Sequence, residues 1–247
     1  MKRRVVVTGM GGVSPIGNNW QQVKESIHDG RSGVQVHPEW SACEGIQTGL
    51  AAPCQFTAPT EWDRKNTRTM GRVSLMGVQA TIDALISAEL MGNPLLESGS
   101  CGVAYGSTSG SPPAIEDYFR SLSLNKSLKG LSPYTYIRLM SHTCAVNIAQ
   151  FFKVKGRIIP TCSACTSGSQ AIGFAYETIR EGHQDIMIAG GAEELHLAAV
   201  AVFDIMYATS TTLCSGDSVK APRPFDARRD GLVIGEGAGT LILEERE

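Results

Sequence analysis

Ile159-Pro160-Thr161-Cys162-Ser163-Ala164-Cys165-Thr166-Ser167-Gly168 decides how the chain is read. A short apolar run leads through small residues into a helical pattern, so the stretch reads as a strand feeding a helix, with Cys165 at the turn. A thiol at a helix N-terminus feels the positive end of the macrodipole and unpaired backbone N–H groups, which stabilise the thiolate. Small neighbours leave room for a substrate to approach. Cys165 is therefore a candidate nucleophile, and a buried structural cysteine is the plain alternative. Cys162 and Cys165 also form a C-x-x-C, the spacing by which redox proteins poise a dithiol at a helix start, so a redox site competes. Zinc has less support, because no second C-x-x-C and no H-x₃₋₅-H is present and the five histidines are scattered. No metal site is expected.

Outward from this stretch, strands and helices alternate. Val5 to Thr8 is a β-branched run stopping at Gly9-Met10-Gly11-Gly12, which predicts a buried strand ending in a tight turn. Asn18 or Asn19 caps a helix carrying Trp20, Val23 and Ile27 as far as Asp29-Gly30. Residues 32 to 60, rich in Pro, Gly and small polar residues, read as an irregular surface excursion. Between Asn66 and Met91 the apolar residues Met70, Val73, Met76, Ile82, Leu85 and Ile86 recur at helical spacing. Further strands are expected at 101–105, 157–161, 185–189 and 239–243, and helices at 112–122, 134–152, 167–181 and 195–207. In a chain long enough for one large domain or two small ones, the alternation predicts an α/β layer architecture with a largely parallel central sheet and right-handed crossovers.

Composition narrows the class. The 247 residues are 42% hydrophobic and 19% charged, with 22 basic against 24 acidic side chains, so the chain is globular and lacks the footprint of a dedicated nucleic-acid binder. No run of eighteen apolar residues occurs, and Val5-Val6-Val7 after Lys2-Arg3-Arg4 is too short for a signal-peptide core, so no membrane span and a cytoplasmic location are expected. The seven cysteines (Cys43, Cys54, Cys101, Cys144, Cys162, Cys165 and Cys214) are irregularly spaced, unlike a disulfide framework, and most should be buried thiols.

Three glycine clusters invite functional readings that their details weaken. Gly9-x-Gly11 has Ser14 where a dinucleotide fingerprint needs its third glycine, Gly106-Ser107-Thr108-Ser109-Gly110 has a central threonine rather than a serine, and Gly235-Glu236-Gly237-Ala238-Gly239 lacks a following Lys-Ser/Thr. All three read as close-packed turns. Arg64, Lys65, Arg68 and Arg72 place four cations within nine positions just after Trp62, either as a solvated face or as a docking patch for an acidic partner.

Taken together, these residues resemble the N-terminal half of an elongating β-ketoacyl-acyl-carrier-protein synthase of the thiolase superfamily. The resemblance runs through Val6-Val7-Thr8-Gly9-Met10-Gly11, Ser14-Pro15-Ile16-Gly17, Ser163-Ala164-Cys165-Thr166-Ser167-Gly168 and Asp185-Ile186-Met187-Ile188-Ala189-Gly190-Gly191-Ala192-Glu193-Glu194. It continues through Arg223-Pro224-Phe225-Asp226, Arg229-Asp230-Gly231 and the glycine cluster at 235–239. It implies a thiolase-like fold with a mixed, mostly parallel sheet. It also implies that Cys165 takes an acyl chain from a phosphopantetheine thioester, its backbone N–H contributing to an oxyanion hole. Malonyl-carrier-protein then loses CO₂, and its carbanion extends the chain by two carbons. No resident cofactor is implied, since phosphopantetheine arrives on the carrier protein.

By the same resemblance, Ser109 lies beside the acyl tunnel where relatives often carry a bulkier residue, and Lys65 and Arg68 contact an acidic acyl carrier protein. A homodimer or a heterodimer with a ketosynthase-like partner is expected. Chain-length factors lack the nucleophilic cysteine, so Cys165 favours a ketosynthase. The family's two catalytic histidines and supporting lysine belong to its second half, and none of His28, His37, His142, His183 or His196 sits in a matching motif. The expectation is a fragment, half of a split enzyme or a partner-dependent subunit. In it Ala171, Ile172, Phe174, Ala175 and Ile179 would lose part of their cover, and Cys162, not a family requirement, would make the site oxidation-sensitive. The competing reading is a catalytically incomplete interaction subunit that binds carrier protein or a ketosynthase partner.

Overall fold

The computed structural model describes residues 2–211 and 220–246; Cys214 lies outside them. The chain divides into two compact units, one formed by Met1–Val13, Phe56–Glu194 and Ala238–Glu247, the other by Ser14–Gln55 and Leu195–Gly237.

The first unit is built on a five-stranded mixed sheet in the order β1-β8-β6-β4-β5. Its strands are β1 (Arg4–Val13), β4 (Cys101–Gly106), β5 (Ile158–Thr161), β6 (Ile186–Glu193) and β8 (Gly237–Arg246). β4 is central, fully buried along its length, and parallel to both β5 and β6. β1 runs antiparallel to β8 at one edge, with a register shift between Val7 and Gly9. The parallel strands and their connecting helices bear out the α/β architecture.

One face of the sheet is covered by α3 (Arg72–Ser87) and α6 (Thr143–Phe151), and the other by α7 (Ser167–Arg180). α3 turns Val73, Met76, Ala80, Ala84 and Leu85 inward, all without solvent exposure. Burying a large apolar side chain of this kind contributes about 1.5–3 kcal/mol. Between these elements lie α2 (Arg64–Thr67), α4 (Pro112–Ser123) and α5 (Pro133–Leu139).

β1 corrects the expected turn. The strand does not stop at Gly9 but continues through the glycines to Val13. A Cβ on Gly9 would stand 2.2 Å from the Ala84 carbonyl oxygen, and one on Gly11 2.2 Å from that of Ala80. These glycines let α3 lie directly on the strand backbone. β1 is also less buried than expected, because it forms the sheet edge; Val7 is exposed.

Two expected long helices are each divided. The 66–91 pattern splits at Gly71, the N-cap of α3, where a Cβ would stand 2.3 Å from that of Ser111. The 134–152 pattern splits at Met140, whose extended backbone ends α5 before α6 begins. Helical spacing of apolar residues persists across both breaks, which is why periodicity alone merged the pieces.

The second unit contains α1 (Trp20–His28), capped by Asn19 accepting from the Gln22 amide, and α8 (Leu197–Ile205). A small sheet pairs β2 (Gln35–Val36) antiparallel to β3 (Leu50–Ala52), and β3 parallel to β7 (Ile234–Gly235). The segment expected as a surface excursion instead supplies core: Trp40, Leu50 and Ala51 are buried, and Trp40 and Ala51 cluster with Val200 of α8. Asp204 is buried at the end of α8 and accepts from the amides of Gln47 (2.8 Å) and Thr48 (3.2 Å) and the hydroxyl of Thr209 (2.6 Å). Among the described residues no helix is long and apolar enough to cross a membrane.

Candidate active site

Cys165 sits where the sequence reading put it, exposed on the turn between β5 and α7. The turn is held by hydroxyl groups rather than by burial. Ser167 Oγ accepts from the Ser163 amide at 2.8 Å and donates to the Ala164 carbonyl at 2.7 Å. Thr166 Oγ1 donates to the Ser163 carbonyl at 2.8 Å, and Thr161 Oγ1 to the Ser167 carbonyl at 2.8 Å. Ala164, the residue before Cys165, has φ +52°, a left-handed conformation that a non-glycine residue adopts at a cost of about 1–3 kcal/mol. This arrangement presents the Cys165 side chain to solvent from an ordered backbone.

The parallel strands carry the turn to one end of the sheet. Gly106, Thr161 and Gly191 are neighbours in register at the carboxyl ends of β4, β5 and β6, the usual ligand-binding edge of an open α/β sheet. A Cβ on Gly106 would lie 2.6–2.8 Å from Ser167, and one on Gly191 3.2 Å from the Gly168 Cα. The start of α7 thus rests against strand backbone, which fixes the height of Cys165 above the sheet.

Ser109 lies half-buried in the loop between β4 and α4. This loop is anchored on both sides. The Thr108 carbonyl accepts from Cys162 Sγ at 3.2 Å, and its amide donates to Glu193 Oε2 at 2.9 Å. Downstream, the Ser111 amide donates to the Arg138 carbonyl at 3.0 Å. A Cβ on Gly110, at φ +69°, would stand 2.7–2.9 Å from the carbonyl oxygens of Arg138, Leu139 and Met140, so the space has no room for a side chain.

Lys65 and Arg68 line an open cleft of about 700 Å³ together with Arg64, Thr67, Ser132, Tyr134 and Arg138. The Arg68 guanidinium lies 4.8 Å from the centre of the Tyr134 ring, while Arg138 Nη2 donates to the Arg68 carbonyl at 2.6 Å. Arg72, expected with this group, instead donates from Nη1 to the Phe56 carbonyl at 2.9 Å and lies over the Phe56 ring, because it belongs to α3 beyond the Gly71 break. Arg138 takes its place from a helix seventy residues away. Sequence spacing gave no sign of Arg138 or Tyr134, since only the packing of α5 against α2 brings them in.

Residues 2–247 match the family described as β-ketoacyl synthase, N-terminal domain. The chain belongs to the β-ketoacyl synthase family. It is 34% identical over 245 residues to 3-oxoacyl-[acyl-carrier-protein] synthase 1 of Escherichia coli, covering 99% of this chain and 60% of that protein. A crystal structure of a β-ketoacyl synthase from Burkholderia phymatum superposes with TM-score 0.94 at 50% identity, covering 100% of this chain and 60% of the other. A type II polyketide ketosynthase, bound to a hexaketide and in complex with its acyl-carrier protein, superposes with TM-score 0.80 at 28% identity, covering 99% of this chain and 59% of that one. The chain therefore spans about 60% of the length of these relatives.

Among the described residues of this chain the cysteines divide sharply. Burial pushes the thiols of Cys101 and Cys144 up to about 12, and Cys54 is buried too, whereas Cys43, Cys162 and Cys165 are exposed. The expected loss of cover on α7 needs correction: Ala171, Ala175 and Ile179 are fully buried, clustered with Ala104, Met187 and Leu243 of the sheet. Ile172 is partly buried, and Phe174 and Tyr176 are the exposed apolar residues.

Proposed function

We propose that Cys165 is the acyl-accepting nucleophile of a 3-oxoacyl-[acyl-carrier-protein] synthase, with this chain supplying the nucleophile half of the catalytic machinery. The observation that carries the reading is the exposed Cys165 on a hydroxyl-braced turn at the carboxyl edge of the parallel strands. In the first step Cys165 Sγ attacks the thioester carbonyl of an acyl carrier protein. The acyl–Cys165 bond forms, and the phosphopantetheine thiol leaves with a proton. In the second, the malonyl thioester loses CO₂ and its carbanion attacks the acyl carbonyl, so a carbon–carbon bond forms and the Cys165 thiolate departs. No chain residue is assigned to the decarboxylation or to proton transfer.

The cation cleft with Lys65, Arg68 and Arg138 suits an acidic carrier protein, a reading supported by the carrier–ketosynthase complex among the structural relatives. In this reading the acyl chain runs beside Ser109, which is supported by the contact of its loop neighbour Thr108 with Cys162. A small side chain there leaves space for long or rigid acyl groups. A ketosynthase-like partner, identical or distinct, completes the assembly; one relative is described as a ketosynthase/chain-length-factor pair. The enzyme works in the cytoplasm.

A condensation assay tests the whole reading. The full-length protein, given acyl- and malonyl-carrier protein, forms the two-carbon-longer 3-oxoacyl product, and Cys165→Ala abolishes it. Condensation that persists in Cys165→Ala overturns the assignment.

A further inference from the structure

The C-x-x-C at the head of α7 is not absorbed by acyl transfer, which needs only one thiol. Both of its cysteines are exposed, unlike the core thiols of Cys54, Cys101 and Cys144. They flank Ser163 and Ala164, whose carbonyls open the turns that lead into α7: the Thr166 amide donates to the Ser163 carbonyl at 3.3 Å and the Ser167 amide to the Ala164 carbonyl at 3.0 Å. A disulfide spans roughly 4.4–6.8 Å between Cα atoms, a separation within reach of residues three apart when the chain bends between them, as the left-handed Ala164 (φ +52°) bends it here.

Two further contacts favour closure of that bond. Cys162 is held by a sulfur hydrogen bond to the Thr108 carbonyl, 3.2 Å away, a weak contact that is readily exchanged. The turn itself is braced by Ser163, Thr166 and Ser167 without help from either thiol. Oxidising the thiols therefore leaves its fastenings in place.

We propose that Cys162 is a resolving thiol that locks Cys165 in a reversible disulfide when the site meets a hydroperoxide while no acyl group is bound. Cys165 Sγ attacks the peroxide oxygen, the O–O bond breaks, and water (or an alcohol from an organic peroxide) leaves a sulfenic acid on Cys165. Cys162 Sγ then attacks the Cys165 sulfur, the S–O bond breaks, a second water leaves, and the S–S bond forms. The two thiols supply the two electrons that reduce the peroxide. An external dithiol returns both cysteines to thiols by exchange. Without Cys162 the sulfenic acid is exposed to further peroxide and to irreversible sulfinic acid. The consequence for activity rests on Cys165 being the acyl acceptor; the disulfide itself does not.

The test is simplified by the sequence, because Arg157 and Arg180 bound one tryptic peptide that contains both cysteines. The intact protein is treated with hydrogen peroxide, with and without subsequent dithiothreitol, alongside Cys162→Ser and Cys165→Ala. In the wild type that peptide is expected to lose two hydrogens, with acylation by a carrier-protein thioester lost and then restored by dithiothreitol. In Cys162→Ser acylation is expected before peroxide, but Cys165 gains two oxygens and dithiothreitol does not restore it. Absence of the two-hydrogen loss in the folded wild type, or full recovery in Cys162→Ser, overturns the proposal. A disulfide in a protein that never acylates contradicts the acyl-transfer reading instead, and acylation without a disulfide contradicts this one.

Discussion

Gly106→Ala measures how tightly the sheet sets the position of Cys165. The added Cβ would stand 2.6 Å from the Ser167 carbonyl carbon, 2.7 Å from its oxygen and 2.8 Å from its Cβ. Carbon atoms in contact prefer about 3.5–4.0 Å, so the first turn of α7 must retreat by about 1 Å, and backbone atoms cannot rotate aside. Overpacking of this kind costs about 1–3 kcal/mol, and each kcal/mol lowers Tm by about 2–4 °C in a chain of this size. If Cys165 is the acyl acceptor, a displacement of about 1 Å there lowers the acylation rate by about 10²-fold. Gly168→Ala is the control, because its nearest neighbours lie at 3.9–4.0 Å, ordinary contact. Thermal unfolding and the rate of Cys165 acylation are measured for both. Wild-type behaviour in Gly106→Ala, or equal damage from Gly168→Ala, refutes the reasoning that this packing sets the height of Cys165.

Three further outcomes are expected. Reversing Lys65 and Arg68 to glutamate weakens carrier-protein binding at low salt by at least tenfold, with the difference shrinking as salt screens the charges; titration at two ionic strengths reads this, and equal affinity at low salt rejects the cleft. Ser109→Ile shortens the preferred acyl chain without changing Tm by more than a few degrees, read by product lengths with a mixture of acyl donors, and an unchanged distribution rejects the tunnel role. At Asp204, burial raises the carboxyl pKa but the bonds from Thr209, Gln47 and Thr48 outweigh it, so the folded value is lowered. Its contribution is present above the ordinary carboxylate range and is lost as pH falls through the lowered folded value. Asp204→Asn removes that pH dependence and costs about 1–3 kcal/mol at neutral pH by turning an amide donor toward buried donors; denaturant unfolding between acidic and neutral pH checks it.

The most readable parts of the sequence were those where local chemistry and tertiary role coincide. The strand-to-helix passage around Cys165 was legible because a strand, a turn of small residues and a helix follow one another without interruption, and the structure keeps all three. The glycines of β1 read as a turn in the sequence because what they accommodate, the close approach of Ala80 and Ala84, comes from a distant helix. Trp40 and Ala51 read as part of a surface excursion because Val200, which completes their core, lies some hundred and fifty positions later. The cation cleft was legible in its local half, Arg64 to Arg68. Its remaining members, Tyr134 and Arg138, enter through helix packing that no spacing encodes, and Arg72 leaves it because Gly71 starts a new helix.

The central claim is that Cys165 accepts an acyl group, and an intact-mass spectrum tests it most directly. The protein is incubated with an acyl-carrier-protein thioester, with Cys165→Ala beside it. The wild type is expected to gain the mass of one acyl group and the variant none. A folded wild-type protein that gains no mass, or a variant that gains as much, contradicts the claim.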